Sequence, residues 1–326
     1  MKRALSFPTL LTAIVIVILF GACVVAAARG DETPTKSGKP AKDLASELDK
    51  AKDKLAPTYT LAYKLAPGDE VRTKVVHLVT VETKIKGATQ TAKTRTVSTK
   101  LWRIREINEQ GHIIFEHVVE HVDMWNSVSG RPEVRFDSTS TEKPPPGYET
   151  VAESVGKVLA TVTMDQHGRV IARTNAQPLF NPGIGELSIP FPNTPVKVGT
   201  TWSIPDEIKM KLEDGTVKKV QTKQVYKLVK VADDGLATID VDTQVLTPVS
   251  DPKVQAELVQ RLQHGTIKFD LNTGRLYHKQ MDMDEEVFGF NGAESHMQYL
   301  ARLTEQPLEA AAAQTARKDL PAATSK

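Results

Sequence analysis

His117, Glu120 and His121, in the stretch HVVEH, are the residues of this chain whose types and spacing could do chemistry. The pattern H-x-x-E-H is that of the inverzincin metalloproteases, in which two histidines hold zinc and the glutamate works on a water. The geometry that makes it work is helical. Residues four apart on a helix are about 6 Å apart at Cβ, so both imidazoles can reach one ion. On a strand rising about 3.3 Å per residue the same two are roughly 13 Å apart, and zinc, which needs each nitrogen at about 2.1 Å, cannot easily be shared between them. The reading as a zinc-dependent hydrolase using His117, Glu120 and His121 therefore stands or falls with the element that carries them.

That element reads as a strand. Ile113, Ile114, Val118, Val119 and Val122 are β-branched, and Gly111 closes a turn just before them. An internal repeat supports this: KLWRIREINEQGHIIFEHVVEHV, residues 100–122, aligns without a gap on QVYKLVKVADDGLATIDVDTQVL, residues 224–246. Trp102 falls on Tyr226, Ile104 on Leu228, Gly111 on Gly235, His117 on Val241 and His121 on Val245. In the second copy Ile239, Val241 and Val245 share one face, so both histidines are expected on the inward face. They then become candidate ligand-binding residues, with Trp102 and Trp125, lining a groove near His77 or Asp123. No metal or other cofactor is expected on this reading.

The repeat extends further. LAPGDEV at 65–71 corresponds to VKVGTTW at 196–202, and each hairpin is followed by a loop, a short helix and a final hairpin. Ser250 or Asp251 as cap, Pro252 in the first turn, and Val254, Leu258 and Leu262 predict the second helix, with Gly265 as its stop. Asp165 with Gly168 and Asp270 with Gly274 supply turn chemistry, a more economical role for these aspartates than catalysis. The fold class is mainly β: two tandem antiparallel β modules, each with one short helix, as a sandwich or half-barrel. The boundaries are 58–174 and 191–304, with a linker at 175–190.

The ends differ in kind. Lys2 and Arg3 precede an uncharged apolar stretch at 9–28, which reads as an export signal or an uncleaved membrane anchor. Cys23, in LFGAC, offers lipidation as a third fate; as the only cysteine it leaves no intrachain disulfide. Residues 29–57 read as a disordered spacer and 305–326 as a disordered tail. Everything after residue 28 is expected in the periplasm or at the cell surface. Without Lys2 and Arg3 the 42 basic residues fall to the 40 of the acidic ones, so no basic face for nucleic acid is expected. A G-x-S-x-G elbow and a cysteine-based metal site are both missing from the sequence.

The motifs LAPGDEV, TKLWRI, VRFDSTS, VTMDQHGRVI and PFPNTPVKVGTTWSI resemble those of a family of uncharacterised exported bacterial proteins, of planctomycete type, built on a β-rich domain of unknown function. The resemblance implies no activity. A looser likeness, of fold only, is to periplasmic lipoprotein carriers, whose curved sheet shelters acyl chains behind short helices. The expected function is that of a non-enzymatic envelope protein binding a hydrophobic ligand or an envelope partner, lipid or protein, with contact to the membrane through 9–28 if that segment is retained. A purely structural envelope role is the further alternative.

Overall fold

The computed structural model describes residues 56–175, 188–211 and 216–308. The export segment with Cys23, nearly all of the spacer, most of the linker and the chain beyond Leu308 lie outside these residues. The elements are β1 (Glu70–Ile85), β2 (Ala88–Ile107), β3 (Ile113–Val128), β4 (Val134–Asp137), α1 (Glu149–Ser154), β5 (Val158–Met164), β6 (Val170–Asn175), β7 (Thr201–Lys211), β8 (Val217–Val231), β9 (Leu236–Val245), α2 (Pro252–Leu258) with a 3-10 turn (Val259–Arg261), β10 (His264–Asp270), β11 (Arg275–Phe288) and β12 (His296–Pro307). The fold is mainly β. All twelve strands form one open antiparallel sheet in the order β6-β5-β3-β2-β1-β12-β11-β10-β9-β8-β7, with β4 beside β3.

The repeat is visible bond by bond. Asn108 N donates to His112 O and Gly111 N to Asn108 O, and Ala232 N donates to Leu236 O and Gly235 N to Ala232 O in the same way. The register of β2 on β3 slips between Ile104 and Glu106, and that of β8 on β9 slips at the equivalent Leu228 and Lys230. Gly68 N reaches Ile104 O as Gly199 N reaches Leu228 O. β12, like β4, has no counterpart in the other half. β12 lies between β11 and β1 and fuses the halves into one sheet.

Two boundaries differ from the sequence expectation. β12 continues to Pro307 and buries Glu305, so residues 305–307 belong to the sheet. The second helix starts as predicted, with Asp251 Oδ1 accepting from Lys253 N and Pro252 in the first turn, but Gly265 does not stop it. Gly265 lies inside β10, where a Cβ would stand 2.0 Å from Gln280 O, so glycine serves close strand approach there.

The sheet is strongly curved. Residues 59–65 and 188–196 run across one face as two extended straps, joined to each other through Tyr59 and Val196. Tyr63 N donates to Gln166 O in the β5–β6 turn, and the next residue, Lys64, donates from N to Gly274 O in the β10–β11 turn. Five strand steps separate β5 from β11, about 24 Å on a flat sheet. Successive Cα atoms are only about 3.8 Å apart, so the sheet must curl until the two turns meet at the strap. The same curl lets the Tyr63 ring lie 5.9 Å from Trp102 of β2 and 5.4 Å from Phe269 of β10. Leu61, Tyr63, Leu65, Ile189, Phe191 and Val196 fill this end of the concave face, at about 1.5–3 kcal/mol for each large side chain buried. Towards the other end, α1 packs on Val119 and Val122 of β3 and α2 on Met210 and Val220.

Candidate functional site

HVVEH lies in the middle of β3. Its three polar side chains do not converge. Thr99 pairs with His121 but Lys100 with Val119, so Glu120 is the extra residue of a β-bulge and the alternation of faces reverses there. His117, opposite Trp102, stays on the concave face and is 1% exposed. His121, opposite Thr99, falls on the convex face, its side chain 35% exposed and 3.4 Å from Asp137. Glu120 is held by two 2.9 Å hydrogen bonds from Arg72. The expectation that both histidines face inward is thus corrected by the bulge, which the ungapped repeat alignment could not reveal. Among the described residues no group of three His, Cys, Asp or Glu side chains is placed to hold a metal ion.

Of the four candidate ligand-binding residues, Trp102 and His117 are brought together and His121 and Trp125 are not. Trp125 pairs with Arg95 on the convex side, where Asp123 also lies, bonded by Arg95 and Arg135. His77 shares the concave face but stands opposite Thr96, six residues along β2 from Trp102 and therefore about 20 Å away.

The concave face holds a polar cluster that sequence reasoning missed. Lys100 and Glu305, each 3% exposed, form an ion pair, and Thr73 Oγ1 donates to the same Glu305 oxygen at 2.8 Å. Lys279, equally buried, is in register with Glu305. These residues line a cleft together with Tyr63 and Trp102, the apolar Leu65, Val71, Ile189 and Leu276, and the polar Ser188 and Arg275. Its volume is about 30 Å³, room for roughly two water molecules. A signal for Lys100 did exist: it alternates in step with Ser98, Trp102 and Ile104, all buried. Lys279 likewise keeps step with Met281 and Met283 on β11.

Burial sets the electrostatics. It lowers the Lys100 pKa, an effect that Glu305 opposes and Lys279 reinforces. His117 is pushed down to about 3, first by burial and then by the charges of Lys100 and Arg173, so its ring is neutral at physiological pH. Both of its nitrogens lack a hydrogen-bond partner among the described residues, as do Trp102 Nε1 and Ser98 Oγ. Buried polar atoms in folded proteins are nearly always paired, so four orphans on two adjacent strands mark the place as unusual. Lys100 Nζ also lies 5.5 Å from the Trp102 ring centroid. The turn aspartates behave otherwise: Asp165 Oδ1 accepts from His167 N and Arg169 N, and Asp270 Oδ1 from Asn272 N and Thr273 N.

No family model and no curated protein matches the chain. Among solved structures it is similar to lipovitellin, in a study of lipid–protein interactions, at 12% identity and a TM-score of 0.41 over 75% of this chain. The chain spans 25% of the lipovitellin chain. It is also similar to a DUF1329 family protein from Desulfovibrio piger, at 10% identity and a TM-score of 0.16 over 79% of this chain and 90% of that one.

Proposed function

We propose that the protein is a non-enzymatic extracytoplasmic binder of a hydrophobic ligand, which it takes into the cleft beneath the straps. The observation that carries this reading is the lining of the cleft: apolar Leu65, Val71, Ile189 and Leu276 beside the buried charges of Lys100, Lys279 and Glu305. Apolar walls with a few convergent polar groups are the general character of small-molecule sites. At about 30 Å³ the cleft is too small for an acyl chain as it stands, so the ligand enters by displacing Leu65 and Ile189. The straps suit that movement. They rest on separate hydrogen bonds, such as those from Tyr63 N and Lys64 N to the two turns, and belong to no continuous ladder. The apolar segment at 9–28 and the motif likeness to exported β-rich proteins support a site of action outside the cytoplasm, beside the membrane.

Native mass spectrometry of the full-length chain, purified and then incubated with oleate, tests this reading. One bound oleate per chain is expected, and Leu65→Glu should abolish it by putting a charge among the apolar lining residues. A native chain that stays ligand-free at saturating oleate, or a Leu65→Glu variant that binds it as well as the native chain does, overturns the proposal.

A further inference from the structure

The polar corner of the cleft has a one-sided chemistry. Trp102 Nε1 can only donate a hydrogen bond, and it is buried with no acceptor among the described residues. Lys100 carries three N–H donors on a buried ammonium; its ion pair with Glu305 engages one side of the group, and the other side is turned to the Trp102 ring. His117, the register partner of Trp102, holds one further N–H with no acceptor, and the charges that act on its ring are those of Lys100 and Arg173. Glu305 offsets only part of this charge, because one carboxylate faces two buried lysines, Lys100 in an ion pair and Lys279 in register across the strand pair. An indole and an ammonium donor thus line the cleft, with the imidazole on the adjacent strand, and a bound anion there would be paired and hydrogen-bonded at once.

From this geometry we infer that the ligand carries an anionic head group, a carboxylate, which docks against Lys100 and Trp102, with His117 behind Trp102 on the next strand, while its single alkyl chain lies along Leu65, Val71, Ile189 and Leu276. The inference rests on the hydrophobic-ligand reading and adds the head group to it. The cleft's free volume of about 30 Å³ suits a carboxylate and is too small for a glycerophosphate. The second half of the molecule supplies an internal contrast. At the positions of Lys100, Trp102 and His117 it has Gln224, Tyr226 and Val241, and there Tyr226 Oη donates to Gln224 Oε1, so the tyrosine hydroxyl is satisfied within the set.

The experiment is a titration of the full-length chain, followed by tryptophan fluorescence, with oleate, methyl oleate and acetate. Oleate is expected to bind at least tenfold tighter than methyl oleate, which has the same chain and no charge, and far tighter than acetate. In Trp102→Phe and in His117→Val, the oleate to methyl oleate ratio should fall towards one, with calorimetry as the readout for Trp102→Phe. Equal affinity for the two long-chain probes in the native protein overturns the head-group assignment and leaves hydrophobic binding standing. Acetate binding as tightly as oleate overturns the amphiphile, and binding of none of the three overturns both readings. The comparison of native affinities stands whether or not the variants fold.

Discussion

The two halves of this molecule share turns, one β-bulge and strand order, yet they fill one equivalent patch of their concave faces differently. In the second half Gln224, Tyr226 and Val241 are satisfied, the tyrosine hydroxyl bonded to the glutamine and the valine packed in the core. In the first half Trp102 and His117 have donors without a partner among the described residues, and Trp102 lines a cleft together with the ion-paired Lys100. The same hairpin therefore folds without the charge, the indole N–H or the imidazole. Groups that the fold does not need, kept where they cost desolvation, are the mark of a site.

That contrast can be broken from either side. The largest effect should come from Glu305→Leu, which leaves Lys100 buried without its counter-charge and should lower unfolding free energy by about 3–5 kcal/mol. Adding Lys100→Met should restore most of that loss in denaturant titrations; failure to do so would show that Glu305 acts mainly through Thr73.

The matched turn glycines come next. A Cβ on Gly168 would stand 2.2 Å from Ile189 O and one on Gly274 2.4 Å from Lys64 N, and both residues have positive φ. Alanine at either should cost on the order of 3 kcal/mol and loosen the straps, seen as faster amide exchange at Tyr63 and Lys64. If only one of the two variants behaves so, the straps do not lean equally on the two halves.

A pH effect of intermediate size distinguishes His117 from Val241. The folded-state pKa of His117 is depressed to about 3 against an ordinary 6.5, so between these values the unfolded chain holds the proton and the folded chain does not. Stability is therefore unaffected above about pH 6.5 and falls as pH drops below it, by about 2 kcal/mol from pH 7 to 5 at 1.4 kcal/mol per unit. His77, pushed down to about 4 by burial, adds a share of the same sign. Thermal melts of His117→Val across this range should show a flatter pH profile than the native protein; an unchanged slope would remove His117 from the account.

The smallest effect belongs to the convex face. Arg72 bonds Glu120 and Glu70, and Arg103 bonds Glu70 and Glu116; all but Glu116 are substantially exposed. Arg72→Gln should cost less than about 1 kcal/mol and the loss should vanish in high salt, because exposed pairs are screened. A loss above about 2 kcal/mol would mean that the bulge at Glu120 depends on this pair.

Much of this was legible in the sequence. β-branched alternation located the strands, the glycine-closed turns aligned the halves, and the wrong element for zinc chelation could be recognised from Ile113 to Val122 alone. The face of His121 was not legible, because a bulge of one residue reverses every later side chain and leaves no mark in an ungapped alignment. Glu305 was hidden in a segment that reads as the start of an Ala-rich tail, although it pairs with a lysine 205 positions earlier.

By itself the sequence determined local matters: which stretches are strands, where glycine and aspartate turn the chain, and that one hairpin is used twice. Only the tertiary structure decided that β12 joins the halves into one sheet, that the sheet curls until both hairpin turns meet one strap, and that Lys100, Trp102, His117 and Glu305 share a buried corner. The physical reason is range. Propensity and alternation act over a few residues, whereas curvature and charge pairing depend on which distant strands lie side by side.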